Sequence, residues 1–182
     1  YEGIHMDHIS FGYEGRTKAI QDVSLYVPKG KTIALAGLSG CGKSTVASLM
    51  MRFMDPDTGH IYMEGRDYKS LDIKTLRKKI IMVPQSVNIF SGTLRENLLI
   101  ADEHADDTKL WEALEKVNLK DFVEKDPDGL DMDPGNSGSK LSGGQKQKIG
   151  IARALLSESE YIIFDEATSA VDSESEEEIW KC

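Results

Sequence analysis

The sequence predicts an α/β fold: a core with a parallel sheet, into which a mostly helical subdomain is inserted. Three observations carry that prediction. Strand-length apolar runs alternate with helical patterns as far as Gln85. From about Asn88 to Ser157 the pattern is helix and loop, with no good strand. A buried-strand pattern then returns in YIIFDE, Tyr161–Glu166. Strands followed by helices followed by strands again give a layered core with an insertion. The expected organisation is one domain over 1–182, with 1–87 and 158–182 as the α/β core and 88–157 as the helical subdomain.

Each element follows from its local pattern. DVSLYV (Asp22–Val27) alternates apolar and polar residues, as a half-buried strand does. PKGK turns the chain, and TIALAG (Thr32–Gly37) is a mostly apolar run of the kind found in a strand buried on both faces. A helix is expected from Lys43 to about Met54, ended by DPDTG. HIYMEG (His60–Gly65) alternates again and reads as a strand. DIKTLRKK (Asp72–Lys79) is a short amphipathic helix, and IIMV (Ile80–Val83) is a buried strand that stops at Pro84-Gln85. TLRENLL, DDTKLWEALEKV and LKDFVEK carry apolar residues at helical spacing. DPDGLDMDPGNSGSK (Asp126–Lys140) is a turn-rich loop. KLSGGQKQKIGIARALL (Lys140–Leu156) is a helix that opens, unusually, on two adjacent glycines.

Composition narrows the function classes. The 182 residues are 40% hydrophobic, enough to bury a core without cross-links. A net charge of −9 argues against a sequence-independent grip on nucleic acid or anionic lipid. Cys41 and Cys182 make no disulfide framework and fit a reducing cytosol. The apolar runs are strand-length, far short of a bilayer span, so this stretch reads as soluble. The N-terminus carries no basic, apolar, small-residue signal.

GLSGCGKST (Gly37–Thr45) lies between the strand pattern TIALA and a helix, the context in which a glycine-rich loop cradles phosphates. Gly37, Gly40 and Gly42 let backbone N–H groups turn inward around phosphate oxygens, and the helix start adds partial positive charge. Lys43 can reach the β- and γ-phosphates, and the Ser44 hydroxyl can bind Mg2+. Ser39, Cys41 and Thr45 complete the expected nucleotide-contacting set. The core is thereby a P-loop NTPase core. Cys41 reads either as a reactive thiol at a helix start or as a small residue that merely fits, the second being favoured. YIIFDE puts Asp165 and Glu166 at the C-terminal end of a buried strand, where ligands of parallel sheets sit. Asp165 can hold Mg2+, while Glu166, pointing to the other side, can orient or deprotonate an attacking water.

Gly37–Thr45, LSGGQ at Leu141–Gln145, YIIFDE and SAVD at Ser169–Asp172 together resemble the nucleotide-binding domain of an ATP-binding cassette (ABC) transporter. The order and spacing fit, with 42 positions from Lys43 to Gln85, 57 from there to Ser142 and 23 on to Asp165. VPQSVNIFSGTLRENL (Val83–Leu98) is similar to the exporter branch in particular.

The resemblance implies an ATPase that binds and hydrolyses Mg-ATP to power an exporter. It implies an N-terminal antiparallel β subdomain, transmembrane domains as partners, and a place on the cytoplasmic face of a membrane. Tyr13 then corresponds to the aromatic that stacks on adenine, the alternative being a core strand aromatic. Gln85 corresponds to the loop glutamine that touches Mg2+ and the water, and Asp172 to an aspartate at the subunit boundary. Ser142, Gly143, Gly144 and Gln145 begin a helix and offer a second anion site. In the family that site acts in trans, covering the γ-phosphate held by the other domain of a head-to-tail dimer. Lys146, Lys148 and Arg153 follow on the same helix, and for most of them a solvated face is the preferred reading.

Two departures stand out. The segment Gly135-Asn136-Ser137-Gly138 has Asn136 where exporters commonly carry an acid, which touches the contact with the transmembrane partner. The four histidines, His5, His8, His60 and His104, all precede Asp165, so none matches the family's switch histidine. The later strands of the core are also not represented, and the expectation is a domain cut short at its C-terminus that hydrolyses weakly or not at all. A non-catalytic, nucleotide-dependent dimerisation module is the alternative for such a piece. A DNA-repair or chromosome ATPase of the same superfamily is a further reading, disfavoured by the short spacing and the −9 charge.

Overall fold

The computed structural model describes residues 2–14 and 18–165. The chain divides into two compact units, Tyr1–Ile80 and Ile81–Cys182.

The first unit is built on a four-stranded antiparallel sheet with strand order β2-β1-β3-β4. Its strands are β1 (Gly3–Phe11), β2 (Ile20–Pro28), β3 (Thr58–Met63) and β4 (Arg66–Asp67). β1 is the central strand, paired with both β2 and β3. Its apolar residues alternate at Ile4 and Met6, slip, and resume at Ile9 and Phe11, all four buried. The slip is a bulge: the register shifts after Met6, and His8 takes a left-handed φ of 49°. A bulge inserts an extra residue and so breaks the period of two. That is why the alternation of β1 is hidden in the sequence. α1 (Lys43–Met50) and α2 (Ile73–Lys79) complete this unit. α2 starts on Asp72, whose carboxylate accepts from the Thr75 N–H, and buries Leu76.

Thr32–Gly37 departs from expectation. The run takes no strand conformation and is exposed, with Ile33 and Leu35 each 43% accessible. An apolar run is a buried strand only when neighbours hydrogen-bond both edges and cover both faces. Among the described residues, neither sheet includes this run.

The second unit combines helices with the two-stranded parallel sheet of β5 (Ile80–Val83) and β6 (Tyr161–Phe164). Between those strands come α3 (Leu94–Leu99), α4 (Asp107–Lys116), α5 (Lys120–Glu124) and α6 (Gly143–Leu156). No strand intervenes among them, as the helical patterns predict. α6 is nearly surrounded, burying Gln147, Ile149, Gly150, Ile151, Ala152, Ala154 and Leu156. It packs with α3 and α4, whose Leu94, Leu98, Leu110 and Leu114 share one apolar cluster with Ile149 and Ile151. Truncating any one of these to alanine is expected to cost about 2–5 kcal/mol. Arg95 on α3 bridges Asp107 of α4 and Asp131, which is 2.8 Å from its Nε. These two carboxylates, Asp107 foremost, hold the Arg95 guanidinium above its ordinary range.

Candidate functional site

The predicted site residues fall into two groups, one in each unit. In the first, Gly37, Ser39, Gly40, Cys41, Gly42, Lys43, Ser44 and Thr45 form an exposed loop that runs into α1. Gly40 and Gly42 have φ of 79° and 100°, in the left-handed region that L side chains avoid. Gly42 is the residue before the helix, and having no side chain it cannot cap that end itself. A Cβ on Gly42 would lie 2.9 Å from the carbonyl oxygen of Ala19. The Lys43 ammonium folds back over the loop and donates to the carbonyls of Gly37 and Leu38, each at 2.9 Å. Its positive charge is therefore concentrated where the glycine backbone turns. The Cys41 thiol is exposed, 3.8 Å from Lys43 Nζ. A Cβ on Gly37 would come within 2.7 Å of its sulfur, so there is no slack on that side for added bulk.

Tyr13 belongs to the same group. Its ring packs edge-on against buried Phe11 at 5.1 Å between centroids, and its hydroxyl lies 3.3 Å from Thr45 Oγ1. The ring remains 42% accessible, so it is not a core aromatic.

In the second unit, β5 and β6 lie side by side and bring Gln85 and Asp165 to one end of the sheet. Asp165 directly follows β6, and its N–H donates to the Val83 carbonyl at 3.1 Å. Gln85 lies two residues beyond Val83 and is exposed. Ser142, Gly143, Gly144 and Gln145 form the start of α6. Here the end is closed by a capping box. Ser142 Oγ accepts from the Gln145 N–H at 3.1 Å, and Gln145 Oε1 accepts from the Ser142 N–H at 2.8 Å. Gln145 thus has a local structural task that the sequence reading did not assign. A Cβ on Gly143 would meet nothing within 4 Å.

Of the cations that follow, Arg153 is turned inward, while Lys146 and Lys148 make exposed hydrogen bonds to backbone carbonyls. Lys146 Nζ donates to the Ser137 carbonyl at 3.0 Å, in the loop that carries Asn136. Arg153 is committed inward, donating to the carbonyls of Asn88 and Asn97 and to Asn97 Oδ1, each at 2.7 Å. Burial lowers its pKa from the usual arginine value. Its partner Asn97 is only 1% exposed, and the Asn97 amide also bonds the Phe90 backbone on both sides. Sequence reasoning missed Asn97 and Gln147. The signal was available: each is a polar residue on a helical stripe otherwise filled by apolar ones.

Glu166, Ser169 and Asp172 lie outside the described residues. In the second unit Gln85 and Asp165 offer side-chain oxygens, the donors a hard divalent ion prefers, and in the first unit Ser44 offers a hydroxyl. Among the described residues no cluster of three His, Cys, Asp or Glu could cage a metal by itself.

A model of the ABC transporter family matches residues 20–169. The chain belongs to the ABC transporter family. It is 45% identical to an uncharacterized ABC transporter ATP-binding protein of Sinorhizobium fredii, over 97% of this chain and 30% of that protein. It is likewise 45% identical to the ATP-dependent lipid A-core flippase of Salmonella typhimurium, over 97% of this chain and 31% of the flippase. Among solved structures, a bacterial Atm1-family ABC exporter with ATP bound superposes with a TM-score of 0.94 at 34% identity, covering 99% of this chain and 32% of the exporter. The chain is thus an ABC transporter ATP-binding domain similar to those of exporters, and it spans about a third of the length of these relatives. No helix among its described residues is long and apolar enough to cross a membrane.

Proposed function

We propose that this domain binds and hydrolyses Mg-ATP to power an exporter, through ATP-dependent head-to-tail dimerisation with a second nucleotide-binding domain. The observation that carries the reading is the start of α1. Left-handed Gly42 has no side chain with which to cap that helix, and the Lys43 ammonium lies over the same turn. A helix start of this kind favours an anion, and a nucleotide β,γ-phosphate fits its size and charge.

In this reading Lys43 neutralises the β- and γ-phosphates, and the accessible Tyr13 ring stacks on the base. Ser44, Gln85 and Asp165 would hold Mg2+, whose contribution when bound is to neutralise charge between the β- and γ-oxygens. Glu166 polarises the attacking water, with Gln85 helping to orient it. Ser142, Gly143, Gly144 and Gln145 meet the γ-phosphate of the opposite domain. The assembly works with transmembrane domains at the cytoplasmic face of a membrane. The division into a core of 1–87 with 158–182 and a helical subdomain of 88–157 is part of the same proposal.

Calorimetry on Lys43→Ala tests it. ATP affinity is expected to fall at least tenfold, since a charge-assisted contact contributes about 1.5–3 kcal/mol. Unchanged affinity would overturn the phosphate-loop assignment. Turnover measured in the full transporter separates hydrolysis from dimerisation without catalysis.

A further inference from the structure

We infer that Gln147 is a positioning residue that ties α6 to the Gln85 loop, so that Gln85 follows the helix begun by Ser142. The inference rests on the role proposed above for Gln85.

Gln147 is 4% exposed, and its side-chain amide donates to the Gln85 carbonyl at 3.0 Å. A buried amide left without partners is costly, so this side chain is committed inward. The link is to main chain and therefore fixes where the Gln85 residue sits, whatever its own side chain reaches. The same helix grips the segment twice more. Gly150 provides a gap in the helix surface, for a Cβ there would lie 2.5 Å from Val87 Cγ2. One turn on, Arg153 holds the carbonyls of Asn88 and Asn97, each at 2.7 Å. Hydrogen bonds at Gln85, Asn88 and Asn97, with close packing at Val87 between the first two, make α6 and the loop one body. A displacement at the Ser142 end of α6 is then passed to Gln85 without any change in the core of this unit. The link is polar and three-point, so it transmits position where apolar packing alone would allow sliding.

The experiment uses the full transporter and three variants beside Gln85→Ala. Gln147→Leu removes the donor, Gln147→Asn keeps an amide but is one methylene too short, and Gly150→Ala keeps the donor but pushes Val87 away. Each is expected to lower kcat about tenfold or more, as lost supporting contacts do. KM for ATP and the melting temperature should stay within about twofold and a few degrees. Amide hydrogen exchange at residues 85–89 should rise while that of α6 stays protected. If Gln85→Ala slows turnover but the three variants leave both kcat and loop exchange unaltered, the inference is overturned. If Gln85→Ala leaves kcat unchanged, the role proposed for Gln85 fails instead. Loop exchange then decides the tether by itself, faster exchange supporting it and unchanged exchange refuting it.

Discussion

Two helices of this domain begin on glycine-rich turns, and they are finished in opposite ways. α1 starts on Gly42 in a left-handed conformation, a residue with no side chain to close that end. α6 starts on Ser142 in an extended conformation, closed by the reciprocal Ser142–Gln145 capping box. The glycines differ in the same sense. Gly42 is demanded by the backbone, through a φ of 100° and the nearby Ala19 carbonyl. Gly143 has open space around it and no unusual φ. A self-satisfied helix start with a bare, unhindered glycine is stable before any ligand arrives. A start on a forced glycine with no side chain of its own leaves N–H groups for an anion, which in the proposed function is the nucleotide. The proposed function assigns these two starts different tasks, the first binding nucleotide within one chain and the second meeting the phosphate from outside.

Gly42→Ala is the sharpest way to break that contrast. It should weaken ATP binding severely and lower stability by at least about 1–2 kcal/mol, the cost of forcing an L-residue into left-handed geometry. Gly143→Ala should do the reverse for the isolated fold, raising stability by roughly 0.5–1 kcal/mol because alanine suits a helix better. Thermal melts of both variants check this, and equal destabilisation would erase the distinction. Alkylation of Cys41 should block nucleotide binding, because bulk on this exposed sulfur, 3.8 Å from Lys43 Nζ, would crowd the phosphates. Bound ATP should protect the thiol, and equal labelling rates with and without ATP would contradict that. The smallest effect is expected for Ser142→Ala. Losing the cap should cost about 1 kcal/mol of stability, with ATP affinity of the single domain unchanged.

Much of this architecture was legible from pattern alone. The helices α2 to α6 and the strands β5 and β6 follow from local periodicity and punctuation, and the packed helical unit respects both. Two strand readings illustrate why the rest was not. β1 is invisible because the bulge at His8 breaks its alternation. Thr32–Gly37 reads as a buried strand but is exposed, because burial of an apolar run depends on distant neighbours that local sequence does not encode. At the site, the glycines and Lys43 were readable since their chemistry is local to one loop. The inward tasks of Gln147, Asn97 and Arg153 depend on partners up to 65 residues away, and only the three-dimensional packing reveals them.

The central claim is that the two helix starts serve one phosphate from two different chains. Sedimentation of the intact nucleotide-binding domain carrying Glu166→Gln, in which hydrolysis is slowed, tests it most directly. With Mg-ATP the account predicts association of nucleotide-binding domains that requires the nucleotide and is abolished by adding Ser142→Arg. Moderate salt should strengthen it, by screening repulsion between acidic partners. Association of the domains without nucleotide, or association indifferent to Ser142→Arg, would contradict the account.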